Sequence, residues 1–138
     1  MNTYTPSVKN ISRKWTLFDA KSQTLGRLAT QIAKKLMGKE KTGFTRHLDM
    51  GDHVVVINAA QVVVTGNKTL TKLYRHHSGY PGGMLALPFS TVISTNPARI
   101  ITHAVSGMLP QNKLRAKMLR HLHVFPGENH PYVDQFKK

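Results

Sequence analysis

Asp49, Asp52 and His53 fall within a five-residue window, and two carboxylates beside an imidazole are a donor set for Mg²⁺ or Mn²⁺ in phosphodiester hydrolysis. Such a nuclease site needs a further carboxylate, yet the next acidic residue after Asp52 is Glu128. The cluster also runs straight into the apolar stretch Val54 to Ile57, where such residues shape the turn into a strand. His121, His123 and His130 make a second candidate metal set, but alternation puts the first two on one strand face, beside residues suited to phosphate. Thr65-Gly66-Asn67-Lys68-Thr69 approaches a phosphate-binding loop, except that Asn67 separates Gly66 from Lys68 where the Walker pattern needs them adjacent. Lys68 then reads as one more phosphate contact. No Ser/His/Asp arrangement has supporting context. The expectation is no enzyme, no metal, no cofactor and no small-molecule substrate.

Binding chemistry is far better represented. From His53 to Gly127 the chain has no Asp or Glu, while it carries Lys68, Lys72, Arg75, Arg99, Lys113, Arg115, Lys117 and Arg120. Unpaired like charge raises the energy of a compact state, so a fold that tolerates it is expected to meet a polyanion. The formal charge of +14 points to nucleic acid first and an anionic membrane second. No apolar run approaches the roughly 20 residues needed to span a bilayer, which disfavours the membrane.

Three stretches stand out. Pro110 breaks the chain before Lys113 to His121, where a helix would place Lys113, Lys117 and Arg120 on one face and Arg115 nearly opposite. An ordinary solvated helix would mix in Glu for i,i+4 support, and none is present. Lys72-Leu73-Tyr74-Arg75-His76-His77-Ser78-Gly79-Tyr80 offers rings to stack on unpaired bases, a guanidinium for phosphate and glycine for close approach. The plainer alternative is a mobile surface loop. Arg27, Lys34 and Lys35 lie off an apolar helical stripe; alone they read as a solvated face, but Lys39, Lys41 and Arg46 continue them into a phosphate-facing edge.

The elements that must position these residues are legible. Trp15 to Asp19 reads as a strand. Thr24 caps a helix striped by Leu25, Leu28, Ala29, Ile32, Ala33 and Leu36 and ended by Gly38. Val54 to Ile57 and Val62 to Thr65 are read as buried strands, with a turn at Gly66-Asn67. Thr69 to Tyr74 reads as an edge strand, followed by an irregular loop from His76 to Gly83. Pro88 to Ser94 is a short helix, and Asn96-Pro97 opens another with Ile100, Ile101, Ala104, Val105 and Met108 inward. Leu122 to Phe125 is a last strand, and the polar tail from Glu128 is expected to be mobile. Buried strands with amphipathic helices indicate an α/β sandwich.

At 138 residues and 40% hydrophobic composition, the chain suits one globular domain with a core over about residues 13–127. Zero cysteines exclude disulfides, a thiol nucleophile and zinc-thiolate sites, and they suit a reducing compartment. The polar segment Met1 to Trp15 lacks the apolar region of a signal peptide, so the two Asn-X-Ser/Thr sequons are not expected to be glycosylated.

Taken in order, Lys14-Trp15, Asp19-Ala20, Thr24-Leu25-Gly26-Arg27-Leu28-Ala29, Gly51-Asp52, Val56-Ile57-Asn58-Ala59, Thr65-Gly66-Asn67-Lys68, Tyr74-Arg75-His76-His77-Ser78-Gly79, Gly107-Met108-Leu109-Pro110 and Leu122 to Gly127 resemble the bacterial-type family of universal large-subunit ribosomal protein thirteen. The resemblance implies a three-layer α/β/α sandwich with a small mixed central sheet. It implies a cytoplasmic, ribosome-bound, non-enzymatic constituent that binds large-subunit ribosomal RNA, aids early subunit assembly and meets neighbouring ribosomal proteins. The residues expected on RNA are Lys14, Arg27, Lys34, Lys35, Lys39, Lys41, Arg46, Asn67, Lys68, Lys72, Tyr74, Arg75, His76, His77, Ser78, Gly79, Tyr80, Lys113, Arg115, Lys117, Arg120, His121 and His123.

Overall fold

The structure, a computed structural model, describes residues 5–136; the ends of the expected N-terminal arm and C-terminal tail, residues 1–4 and 137–138, lie outside the described residues. In chain order the elements are β1 (Trp15–Asp19), α1 (Leu25–Met37), β2 (His53–Ile57), α2 (Lys68–Thr71), β3 (Leu73–His77), β4 (Met84–Pro88), α3 (Phe89–Thr95), α4 (Pro97–Met108), α5 (Leu114–Leu119) and β5 (Leu122–Val124). Short 3-10 turns cover Val8–Asn10, Ala59–Gln61 and Val133–Phe136.

The α/β class expected from the sequence is the one observed. A three-stranded sheet runs β1-β2-β5, parallel throughout, while antiparallel pairing is confined to a separate ribbon of β3 and β4. With β2 central, Val54, Val55 and Val56 are all buried, which is why that strand reads as one unbroken apolar run. Val54 and Val56 join the core built by Leu28, Ile32 and Leu36 of α1 with Ile100, Ile101 and Val105 of α4. The opposite face is covered by rings rather than by an α-helix. Trp15 stacks on His53 at 4.3 Å and on Tyr132 at 5.0 Å, and Phe136 of the last 3-10 turn meets Trp15 edge-on. The tail expected to be mobile therefore forms this cover, because Tyr132 and Phe136 bury apolar surface against Trp15.

Other local expectations are revised. Thr24 does take the N-cap position of α1, but its hydroxyl makes no cap bond; the segment is held instead by the Leu25 N–H donating to the Val63 carbonyl. Val62 to Thr65 is not a strand: one isolated bridge, Thr24 to Val63, is its only pairing among the described residues. The 3-10 turn ending at Gln61 delivers it to the entry of α1 rather than along the sheet. Thr69 to Thr71 lies in α2, and β3 begins only at Leu73, so His76 and His77 are strand residues and the loop is 78–83. Asn96 behaves as read, its side chain accepting from the Arg99 N–H with Pro97 in the first helical turn.

Two glycines fix where α1 ends against the chain that leaves it. Gly38 adopts φ +70° and donates its N–H back to the Lys34 and Lys35 carbonyls. A Cβ at Gly51 would lie 1.8 Å from the Leu36 carbonyl oxygen, so only glycine lets this backbone pass beneath the helix end.

Candidate nucleic-acid interface

Asp19, Glu40, Asp49 and Asp52 are engaged by the fold. Asp49 Oδ2 accepts from Arg13 at 3.3 Å and lies 3.1 Å from His121 Nε2. Asp52 Oδ1 lies 2.6 Å from Lys41 Nζ and accepts from the Lys14 N–H at 3.0 Å. Lys41 also donates to the Ser12 and Met50 carbonyls, and Lys35 pairs with Glu40. Asp19 accepts from Asn58 and from the Lys21 N–H, and these hydrogen bonds, the Asn58 one first, hold its carboxyl below the usual carboxylate range. The candidate cluster of Asp49, Asp52 and His53 is thus an ion-pair knot tying residues 12–14 and Lys41 to the entrance of β2.

Several residues expected on RNA are turned to internal work. Tyr74 is buried, 5% exposed, with its ring edge-on to His103 and its hydroxyl without a hydrogen-bond partner among the described residues; burial raises its pKa. Its ring is not available as a stacking surface. The register places Tyr74 opposite Leu87, on the ribbon face turned to the core, and β-alternation could have shown that had the ribbon been recognised. His121 is held by Asp49, and His123 stacks in the ring layer with its Nδ1 3.3 Å from the Tyr132 hydroxyl. Desolvation, then the charge of His121, pushes the His123 pKa down; His53 is lowered by desolvation and then by His121, Arg13 and His123. Lys35 and Lys41 are tied up as described above.

Most of the remaining cations face solvent; Lys72 is half-buried, its Nζ 5.6 Å from the centroid of the Tyr74 ring. On α1, Arg27 and Lys34 share an exposed face seven residues apart. Lys113 and Arg120 keep helical geometry at the two ends of α5, so Lys113, Lys117 and Arg120 form one exposed row while Met118 is buried. Arg115 is half-buried. Lys39 and Arg46 line one cleft together with Asn112 and Met118, which brings the loop after α1 beside α5. Thr24 and Gly26 at the start of α1 share another with Lys68 and Lys72, which joins the first helix to α2. The ribbon carries Arg75, His76 and His77, all exposed, into a loop where Tyr80 is 76% exposed. Asn67, Ser78 and Gly79 are also exposed. Lys14 stands apart, lining clefts beside Lys41 and beside Phe136. Among the described residues, none of these exposed cations forms an ion pair. The sequence reading missed the ring layer of Trp15, His53 and Tyr132; alternation in three parallel strands was the signal for it.

No helix among the described residues is long and apolar enough to cross a membrane. An α/β core with Asp19, Asp49 and Asp52 bonded internally, and exposed cations that form no ion pair among the described residues, presents a basic surface. The model of the family described as Ribosomal protein L13 matches residues 13–131. The chain belongs to that family, and as a ribosomal protein it is a structural, non-enzymatic constituent of the ribosome. It is 52% identical over 135 residues to the large ribosomal subunit protein uL13 of Pseudomonas paraeruginosa, covering 98% of this chain and 95% of that one. Similarity to the proteins of the same name from Prochlorococcus marinus (50%, covering 96% and 89%) and Francisella tularensis subsp. novicida (49%, covering 100% and 97%) is comparable.

Proposed function

We propose that the protein binds large-subunit ribosomal RNA during early subunit assembly and stays as a structural clamp between RNA segments and neighbouring large-subunit proteins. One observation carries the reading. The α5 row of Lys113, Lys117 and Arg120 lies in an acid-free stretch and forms no ion pair among the described residues, while Asn112 and Met118 of the same region share a cleft with Lys39 and Arg46. Arg27, Lys34, Lys68, Lys72, Arg75, His76, His77 and Tyr80 extend the contact surface toward the ribbon. Basic side chains release counterions from phosphates and supply affinity without sequence preference. Fit of the packed domain to folded RNA then supplies selectivity. The large-subunit names of the relatives support the same assignment.

The test is a salt series of binding to a large-subunit rRNA fragment and to an unrelated structured RNA of equal length. A preference for the rRNA that persists as salt rises is the expected result. Equal affinities that collapse together would leave a general polyanion binder and sink the proposal.

A further inference from the structure

Resting on that reading, we infer that the cleft between the loop after α1 and α5 receives one unstacked nucleobase of the bound RNA. The cleft has a volume of about 240 Å³, below the roughly 300–1,000 Å³ of sites for drug-sized ligands. A single ring system fits that scale, and a whole cofactor does not. Its walls are mostly apolar, Met37 from the end of α1, Phe44 from the loop, Pro110 before α5 and Met118 from within it, with Thr45 the polar exception. Phe44 supplies an aromatic ring, and the two thioethers are soft, polarizable surfaces that adapt to a flat ring.

The rim differs in chemistry from the walls. Lys39 and Arg46 line the same cleft, are exposed, and form no ion pair among the described residues. Asn112 has its Oδ1 occupied by the Leu114 N–H, which leaves its amide NH₂ as a donor for an acceptor on a base edge. An apolar slot with an aromatic wall, one polar donor and two cations at the mouth matches the parts of a nucleotide in order: ring, ring edge, phosphate. An apolar protein side chain would use the walls and leave both cations and the amide without a counterpart. Charge complementarity therefore selects the nucleotide.

The experiment is zero-length ultraviolet cross-linking of the full chain to the large-subunit rRNA fragment, with mass-spectrometric localisation of nucleotide adducts. It is paired with salt-dependent binding of Phe44→Leu and Phe44→Trp. Expected is an adduct on Phe44 or a flanking wall residue. Phe44→Leu should weaken binding roughly 5- to 150-fold, the range for losing one stacked base. Its salt slope should stay unchanged, since no phosphate contact is removed, and Phe44→Trp should restore affinity. Wild-type protein that does not discriminate rRNA from the control RNA would overturn the parent reading. Discrimination that persists while Phe44→Leu binds within twofold of wild type, with adducts only elsewhere, overturns the pocket alone. So does a photoreactive phenylalanine analogue at position 44 that captures a ribosomal protein instead of RNA in assembled particles.

Discussion

Replacing Lys113, Lys117 and Arg120 together by Gln should cut RNA affinity in a way that salt exposes. Gln is a good helix former, and the buried anchor Met118 is untouched, so α5 should persist. Each phosphate contact contributes roughly 0.7–0.9 to the slope of log K against log salt, the lower figure for single strands. Three contacts removed should therefore flatten the slope by about 2–3. Because the electrostatic contribution fades toward 1 M salt, one decade below that point the same slope difference becomes about two to three decades of affinity at 0.1 M. Binding isotherms from 50 to 500 mM salt, by filter retention or fluorescence anisotropy, read both quantities. Wild-type and variant lines should converge at high salt. A variant whose slope stays within 0.5 of wild type and whose affinity at 0.1 M is unchanged would refute the placement of this row on RNA. Parallel lines offset by a constant factor would refute the electrostatic reasoning instead.

Tyr74→Phe should leave RNA affinity unchanged and hold or raise stability by about 0–2 kcal/mol, because it deletes a buried hydroxyl without a partner; a tenfold affinity loss would return Tyr74 to the interface. Gly51→Ala should destabilise by about 3 kcal/mol or prevent folding, since its Cβ would meet the Leu36 carbonyl oxygen at 1.8 Å, and a urea midpoint matching wild type would contradict that close approach. Stability should be complete above pH 6.5 and fall below it. His53 and His123 have folded pKa values below the ordinary 6.5, so as pH drops the unfolded chain takes up protons first and is favoured. Thermal midpoints from pH 8 to 5, followed by the fluorescence of the single tryptophan, Trp15, against which His53 stacks, would check it; a midpoint that rises on acidification would refute it.

Much of the core was legible because its periodicities are strong. The stripe of α1 buries the residues its spacing singles out, and the run of β2 buries Val54, Val55 and Val56, with Ile57 half-buried at its end. Prediction failed where the choice is made by distant partners. Val62 to Thr65 has the composition of a buried strand, yet among the described residues it finds a single bridge at Thr24, because the 3-10 turn ending at Gln61 carries it to the entry of α1 rather than along an edge of the sheet. Thr69 to Thr71 is β-compatible in isolation, but the register that pairs Leu73 with Pro88 starts the strand after it. Polarity misled at the tail, where two rings, Tyr132 and Phe136, outweigh their polar neighbours. In the candidate site, the cationic rows followed from helical spacing, while the internal roles of Tyr74, Lys41 and His121 did not. Residue type says that a lysine is able to meet a phosphate; only the fold says whether a carboxylate has already claimed it.

That last distinction organises the molecule. The chain has six acidic residues, and Asp19, Glu40, Asp49 and Asp52 all precede the acid-free stretch. Asp49 and Asp52 draw Arg13, Lys41 and His121 inward, and Lys41 also grips the Ser12 and Met50 carbonyls. The loop between α1 and β2 is thereby pinned at both ends, with Gly38 and Gly51 closing the backbone against the helix end. Lys39 and Arg46 are carried on that pinned loop, across the cleft from α5. Negative charge thus positions positive charge without covering it. Further carboxylates near the outer cations would compete with phosphate for them, whereas Asp49 and Asp52, held in the knot, stiffen the frame. A surface held so would reach RNA already arranged, with less side-chain and loop ordering left to oppose binding.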